Sequence, residues 1–253
     1  MRTVLLLFSG GKDSFISACR EIHAGNRIVL ISFNNSAVIG EKNVLHGVAR
    51  LQRKYGKDRI VYAGCYNTGA IIQSLKDKWA DVPWNVLGEQ YPNLTNTQIT
   101  CLHCQTAMWI AAIAYARAKG IGQIDAGYKQ SDPFCTGLKA FHQEIQTLAE
   151  KYFCKINFPV LDDSAWVKSP GEIERDYEMS RYGFLHSVYE PKCMLGRPAP
   201  PMTPEMKQDM AKYFANDLRQ VATAEIEQMI PIFRTIQLTP ESMPVPDYPL
   251  PDE

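Results

Sequence analysis

The sequence predicts an α/β protein with a doubly wound, mainly parallel sheet and a C-terminal helical appendage. Runs with the character of buried strands alternate with segments of helical periodicity through the first 160 residues. A glycine-rich turn follows the first of these runs and leads directly into the first helical segment. Beyond residue 200 the pattern is helical and then rich in proline. We therefore expect a main domain over residues 1–200, a helical appendage over 201–238 and a proline-rich tail over 239–253.

The predicted strands are short runs rich in apolar and β-branched residues. A strand that is covered on both faces, as in a parallel sheet, has this composition. The runs cover residues 4–8, 27–33, 59–63, 121–126 and 155–160. Helical periodicity lies between them, in residues 15–22, 43–55, 68–79, 101–115 and 138–152, and the pair Ser169-Pro170 marks the start of another helix. This alternation predicts helices on both faces of the sheet.

The turn after the first strand has the composition of an anion-binding loop. It consists of Ser9, Gly10, Gly11, Lys12, Asp13 and Ser14. Two successive glycines allow backbone N–H groups to approach an anion, and the dipole of the following helix favours negative charge at the same point. Lys12 adds a mobile positive charge, and the two serines offer hydroxyl groups. Asp13 can hold a hydrated Mg²⁺ ion or orient the loop.

Composition limits the classes of function. The chain has 253 residues, of which 45% are hydrophobic, and its 27 basic residues equal its 27 acidic ones. This balance gives no general attraction to nucleic acid. No continuous run of about 18 apolar residues is present, so no membrane partner is expected. Seven cysteines, an odd number scattered along the chain, argue against a disulfide framework and predict a cytoplasmic location.

The loop resembles the SGGxDS signature of the PP-loop ATP pyrophosphatases, which have the adenine nucleotide alpha hydrolase-like fold. The match covers all six positions, whereas the GxxxxGK[ST] spacing of a Walker A loop is absent. The resemblance implies that the protein binds ATP and Mg²⁺, cleaves ATP between the α- and β-phosphates, and activates a substrate oxygen as an adenylate. Lys12 and Asp13 would be catalytic residues.

The same resemblance implies further nucleotide contacts at the ends of predicted strands, where doubly wound sheets bind ligands. Phe33 ends the second strand, which reads the adenine in this family. Gly127 matches a glycine that approaches the nucleotide, and Asp132 matches an acidic residue near the reacting phosphates and Mg²⁺, with a turn cap before Pro133 as its alternative role. Lys168 matches a phosphate-binding lysine, with a plain surface lysine as the alternative.

Cysteines form the second candidate site. Cys101 and Cys104 form a CxxC pair at the predicted start of the long apolar helix, where they share a face and the dipole favours thiolate. Cys193 lies in a loop rich in proline and glycine, which is unusual for a structural cysteine. The residues alone leave open a metal-free catalytic pair and a Zn²⁺ site completed by His103.

Four other cysteines carry weaker expectations. Cys19 and Cys154 are expected to fill the core. Cys65 and Cys135 are expected in loops, without a partner at metal-ligand spacing.

PP-loop tRNA 2-thiolation enzymes are similar in carrying CxxC at the start of such a helix and a third cysteine a comparable long interval later. The resemblance implies a [4Fe-4S] cluster held by Cys101, Cys104 and Cys193, with Cys101 and Cys193 also catalytic. Three thiolates would leave one iron of the cluster without a protein ligand, and that iron could bind sulfide. This arrangement fits sulfur delivery better than structural zinc, which prefers four protein ligands. The implied reaction is adenylation followed by sulfur insertion into tRNA or a small-molecule substrate, with a sulfur donor as partner.

Two alternatives remain at this stage. Residues 127–132 and the following order of strand, lysine, helix and Tyr182-Gly183 also resemble 7-cyano-7-deazaguanine synthase, which implies nitrogen insertion that converts a carboxylate to a nitrile. That family has a compact group of zinc cysteines near its end, where this chain has only Cys193. A non-catalytic adenine-nucleotide sensor is the other alternative, against which Lys12, Asp13 and Asp132 argue. The appendage is expected to be a small subdomain or a homodimer contact.

Overall fold

The computed structural model describes residues 1–34, 38–39, 41–77, 89–129, 135–161, 172–184, 192–193 and 202–236. For residues 38–39, 41–42, 172–174 and 192–193 it describes the backbone only.

A five-stranded parallel sheet forms the centre of the molecule. The strands are β1 (Thr3–Leu7), β2 (Arg27–Asn34), β3 (Val38–Ile39), β4 (Ile60–Asn67), β5 (Gln123–Ala126), β6 (Lys155–Asn157) and β7 (Lys192–Cys193). The main sheet has the order β4-β2-β1-β5-β6, and β3 pairs with β7 in a separate antiparallel ribbon. The predicted fold class is confirmed, since all five predicted strands lie in one parallel sheet.

Some predicted strand boundaries were wrong for identifiable reasons. β4 continues four residues beyond the prediction, because its second half pairs with the end of β2 after a register shift between Leu30 and Ile31. Cys65 therefore lies in β4 and not in a loop. β6 ends at Asn157, shortly before Pro159, which has no N–H to donate to a neighbouring strand.

Helices cover both faces of the sheet, as predicted. They are α1 (Lys12–His23), α2 (Glu41–Tyr55), α3 (Gly69–Asp77), α4 (Asn96–Lys119), α5 (Lys139–Glu150), α6 (Glu172–Arg181), α7 (Pro204–Tyr213) and α8 (Arg219–Thr235). Successive side chains of a strand point to opposite faces. In β1, Val4 and Leu6 pack with α1 and α2, whereas Leu5 and Leu7 pack in the core that contains α4.

The long helix α4 is the central helix of that second core. It begins five residues before the predicted start, because Thr95 and Gln98 form a capping box, and it ends at Gly120 in the left-handed conformation. Among the described residues it is the one helix long and apolar enough to cross a membrane, but 83% of its apolar window is buried inside the protein. Burial in the core therefore accounts for its composition.

The C-terminal helices pack against α4. A π-helical stretch, Phe214–Leu218, joins α7 to α8. Tyr213, Phe214, Leu218 and Ile226 are buried in the same core as the sheet residues Leu5 and Val29. The helical character predicted after residue 200 is confirmed, and the domain boundary at residue 200 remains a prediction. The predicted tail, residues 239–253, lies outside the described residues.

Candidate functional site

The glycine-rich loop lies at the carboxyl edge of the central strand. β1 lies between β2 and β5. The chain adds β2 and β4 on one side of β1 and later adds β5 and β6 on the other side. Open α/β sheets bind ligands at the point where the strand order switches sides in this way. Phe8 N–H donates to Ile31 O at 2.8 Å, and Ser32 Oγ donates to Phe8 O at 2.6 Å. These bonds fix the start of the loop between β1 and β2.

The two loop serines make hydrogen bonds within the loop. Gly11 N–H donates to Ser9 Oγ at 3.2 Å, Ser14 Oγ donates to Gly11 O at 3.0 Å, and the two hydroxyl oxygens are 3.2 Å apart. The helix cap, Gly11, has an extended backbone and makes no side-chain capping hydrogen bond within the described chain. Within the described chain the cap residue therefore leaves the first turn of α1 without a side-chain cap, which suits anion binding at a helix N-terminus.

Two glycines at the site are required by close contacts between backbones. Gly10 has a φ of +78°, and a Cβ there would lie 2.9 Å from Val44 N at the start of α2. At Gly127, which follows β5, a Cβ would lie 2.5 Å from Ser14 N and 2.7 Å from Asp13 C. The sequence predicted that Gly127 approaches the nucleotide. The structure gives a second physical reason for glycine, because the side that would carry a Cβ faces the backbone of α1.

Charged side chains from three elements meet at the loop. Arg175 Nη1 donates to both oxygens of Asp13, at 3.0 and 3.2 Å, and Lys129 Nζ lies 3.6 Å from Asp13 Oδ2. Lys12 Nζ lies 2.8 Å from Asp176 Oδ1. Lys12 and Arg175 are buried, whereas the Asp176 side chain is 49% exposed. Three cations and two carboxylates thus surround the first turn of α1, and the contacts of Asp13 favour its predicted role in orienting the loop.

Sequence reasoning missed Lys129, Arg175 and Asp176. The available signal was the charged pair Arg175-Asp176 in the first half of a helix whose start had been predicted at Ser169-Pro170. No residue spacing indicated that this helix packs across α1. In the structure Arg20, in the last turn of α1, makes two hydrogen bonds of 2.7 Å to the Glu178 carboxylate, which hold α6 against α1, and a third to Pro159 O.

Three cysteines surround Tyr128. Cys101 Sγ lies 3.8 Å from Cys135 Sγ, and Cys104 is buried one turn further along α4. Burial raises the pKa of the Tyr128 phenol well above its ordinary value, and thiolate charge on Cys135, Cys104 or Cys101 would raise it further. Sequence spacing gave Cys135 no partner, and folding brings it to Cys101, 34 positions away along the chain.

Cys193 lies in β7, opposite Val38 of β3. Its side chain is outside the described residues, so the predicted three-cysteine ligand set remains a prediction. Within the ranges that are described, no group of three or more His, Cys, Asp or Glu side chains is arranged to hold a metal ion. Thiolates are nevertheless the donors that iron–sulfur clusters use, and in donor type the three predicted ligands fit such a group.

His103 is directed to the C-terminal helices. Its Nε2 lies 2.5 Å from Tyr213 Oη, and its Nδ1 is buried without a hydrogen-bond partner among the described atoms. Burial, with a smaller contribution from Lys76, lowers the pKa of His103 to about 4. The structure therefore uses this neutral imidazole to pack α4 against α7 and gives no support to a Zn²⁺ site that includes it.

Of the three remaining predicted site residues, the structure describes only Phe33. Phe33 is half-buried near the carboxyl end of β2 and pairs in register with Tyr66. Asp132 and Lys168 lie outside the described residues. Their predicted roles beside the phosphates remain predictions.

Three consecutive residues after β5 connect the loop to the cysteines. Gly127 lies against the first turn of α1, and Lys129 reaches Asp13. Between them, Tyr128 accepts a hydrogen bond from Trp109 Nε1 at 3.0 Å and donates one to Gln105 Oε1 at 2.6 Å, both on α4. The anion-binding loop and the thiols therefore share one edge of the sheet.

A solvent-open cleft lies beside Tyr128. It has a volume of about 810 Å³, and its lining includes Lys139, His142, Gln143, Phe158 and Leu161. The Phe158 ring is stacked on Tyr128, with centroids 5.6 Å apart and an interplanar angle of 18°, and lies 4.3 Å from the His142 ring. Aromatic and polar groups of this kind are typical of pockets that accept planar ligands.

Comparisons with known proteins give no family assignment. No family model matches the chain, and no curated protein matches it. Among solved structures, the chain is similar to a "predicted subunit of tRNA methyltransferase" from Methanocaldococcus jannaschii, with 15% identity, a TM-score of 0.43, and coverage of 76% of this chain and 98% of that one. It is also similar to NMN synthetase from Francisella tularensis, with 12% identity, a TM-score of 0.45, and coverage of 95% and 89%. At these values neither similarity supports an inference about activity.

Proposed function

We propose that the protein is an ATP-dependent adenylating enzyme that releases pyrophosphate and then inserts sulfur into its substrate. The observation that carries this proposal is the arrangement at the carboxyl end of β1. A glycine loop, the first turn of a helix and the cations Lys12, Lys129 and Arg175 meet there. Such a cradle suits a polyphosphate, because backbone amides and fixed cations stabilise its charge without reorganisation.

The first step uses residues of the loop. ATP phosphates bind at the first turn of α1, and Lys12 exchanges Asp176 for a phosphate oxygen. Arg175 and Lys129 hold Asp13 and add positive charge. A substrate carbonyl or carboxylate oxygen attacks the α-phosphorus, the bond to the bridging oxygen of the β-phosphate breaks, and pyrophosphate leaves with its charge stabilised by Lys12, the amides and Mg²⁺. The product is an acyl or imidoyl adenylate, from which AMP departs readily.

The second step uses the thiols beside Tyr128. Sulfur displaces AMP from the activated carbon, and it is supplied by a sulfur donor through the cysteine site. Cys101, Cys104 and Cys193 would hold a [4Fe-4S] cluster, which supplies an open iron for sulfide. Tyr128, which lies between the loop and the thiols, places the sulfur close to the adenylate. The cleft lined by His142 and Phe158 would accept a planar substrate, either a small molecule or a base of tRNA.

The ATP step is tested by product analysis and binding. With ATP labelled at the α-phosphate, Mg²⁺, a sulfide source and unmodified tRNA or candidate small molecules, the labelled product is expected to be AMP. Lys12→Ala should weaken ATP binding tenfold or more, equivalent to about 1.4 kcal/mol, because a buried phosphate ligand is lost. Lys207→Ala, at an exposed position on α7, is the matched control and should bind ATP as wild type does.

Other outcomes separate the alternatives. Labelled ADP as the product would rule out the proposed cleavage. Tight ATP binding without AMP formation, with every substrate class tried, would favour the nucleotide sensor. Among substrates, tRNA binding that weakens steeply with added salt would indicate phosphate contacts, and absence of binding at low salt would leave the small-molecule class.

The sulfur step is tested by metal analysis. Protein purified without oxygen should be brown and contain about four irons and four acid-labile sulfides per chain. Cys193→Ala should lose both, since a two-thiolate remnant holds a cluster poorly. Cys154→Ala is the control, because Cys154 is buried just before β6, where its thiol contacts the backbone oxygens of Ile121 and Tyr152. Colourless wild-type protein would contradict the cluster and leave adenylation to be judged by its own test.

A further inference from the structure

Cys101 and Cys135 form a thiol pair that the proposed sulfur chemistry does not use as a pair. Their Sγ atoms are 3.8 Å apart, and a disulfide requires about 2.0 Å. The two sulfur atoms must therefore approach each other by about 1.8 Å for the bond to form. We propose that Cys101 and Cys135 form a reversible disulfide that responds to small-molecule disulfides.

The two thiols differ in exposure, and thiol–disulfide exchange needs one accessible thiol to start it. Cys101 is half-buried on the second turn of α4, so a small disulfide reaches it first. Cys135 is fully buried at the start of a short 3₁₀ helix, Cys135–Gly137, where it is protected from the reagent but close to Cys101. The first thiol is thus the site of attack and the second is the resolving thiol.

Two other buried cysteines lack this reactivity and serve as references. Burial raises the pKa of the Cys19 thiol to about 12 and that of Cys154 to about 11. Since the thiolate is the reactive form, both are expected to stay reduced in the folded protein.

The exchange balances in two steps. The Cys101 thiolate attacks one sulfur of the small disulfide, which forms a mixed disulfide and releases one small thiolate. The Cys135 thiolate then attacks Cys101 Sγ, which forms the Cys101–Cys135 bond and releases the second small thiolate. The protein loses two electrons and two protons, and the oxidant is reduced to two thiols. An excess of the small thiol reverses both steps.

The bond would withdraw Cys101 from the thiolate set beside Tyr128. Oxidation would therefore switch off the sulfur step while the ATP loop, which contains no cysteine, keeps its geometry. Bond formation itself does not depend on the proposed function, because it is read directly on the two sulfurs.

The experiment maps disulfides in the full-length protein. Reduced protein is equilibrated with graded ratios of hydroxyethyl disulfide to mercaptoethanol. It is then unfolded in denaturant that contains N-ethylmaleimide, so that all remaining thiols are trapped, and peptides are identified by mass spectrometry. Wild type should lose two of its seven alkylatable thiols together, as a linked Cys101–Cys135 peptide. In Cys135→Ser, Cys101 should instead accumulate a mixed disulfide with mercaptoethanol. Cys154→Ser should behave as wild type.

Two results would overturn the proposal. One is alkylation of both Cys101 and Cys135 at every ratio while circular dichroism shows folded protein. The other is a link from Cys101 to Cys104 or Cys193 in place of Cys135. Peptide mapping of the wild type decides between these results even if Cys135→Ser fails to fold, and Cys135→Ala provides a second variant. AMP formation is measured separately, so its failure leaves this result unaffected.

Discussion

A single glycine after β5 determines how closely the sheet approaches the ATP loop. A methyl group at Gly127 would lie 2.5 Å from Ser14 N and 2.7 Å from Asp13 C, both backbone atoms of α1. Backbone in a packed helix moves only with its whole element, so Gly127→Ala should push α1 away from β5. We expect a loss of about 1–3 kcal/mol in the free energy of unfolding, as for other overpacked sites, measured by urea denaturation.

Gly122→Ala is the matched control for this prediction. Gly122 lies just before the same strand, and a Cβ there would meet its nearest atom, Phe153 O, at 3.9 Å, which is ordinary contact. Its free energy of unfolding should change by less than about 0.5 kcal/mol. ATP affinity should fall in Gly127→Ala and stay unchanged in Gly122→Ala. Equal stabilities for the two variants would mean that the close approach of Gly127 to α1 has no energetic consequence.

At the level of the elements, local sequence was sufficient for the sheet and insufficient for α6. The apolar run before Ser9 predicted β1, because burial on both faces requires an uninterrupted apolar strand. The glycine pair predicted the turn for an equally local reason. The position of α6 depends instead on Arg20, which reaches Glu178 across 158 residues, and no spacing along the chain reports such a contact. The charged residues that α6 adds to the site, Arg175 and Asp176, could therefore not be assigned to the loop from the sequence.

The cysteines show the same division between local and long-range information. The pair Cys101 and Cys104 was evident from helical spacing alone. Cys135 reaches Cys101 because the 3₁₀ helix Cys135–Gly137 packs on α4, and a predicted loop position gave no sign of that neighbour. His103 was misread as a potential ligand for a related reason, since its partner Tyr213 comes from α7, far along the sequence.

For the molecule as a whole, a buried pair of carboxyl groups ties global stability to pH. Asp125 is fully buried in β5, near Glu21 of α1, and it accepts hydrogen bonds from Gln123 Nε2 at 2.8 Å and Asn157 Nδ2 at 3.3 Å. Burial, with a smaller contribution from the charge of Glu21, raises the pKa of Asp125 to about 8. Asn26 Nδ2 donates to Glu21 Oε2 at 2.6 Å, so the two carboxyl groups have separate amide donors.

The sign of the pH dependence follows from this raised pKa. Between the ordinary pKa of an aspartate, about 4, and pH 8, the folded protein holds a proton that the unfolded chain has released, so stability falls as pH rises. The free energy of unfolding falls by at most about 1.4 kcal/mol per pH unit, and it stops falling above pH 8.

Asp125→Asn removes the titrating group, so its free energy of unfolding, measured in urea at pH 5, 6, 7 and 8, should change less with pH than that of wild type. The exposed Asp58→Asn should keep the wild-type slope. Parallel curves for wild type and Asp125→Asn would show that Asp125 carries no proton in the folded protein and would contradict the raised pKa.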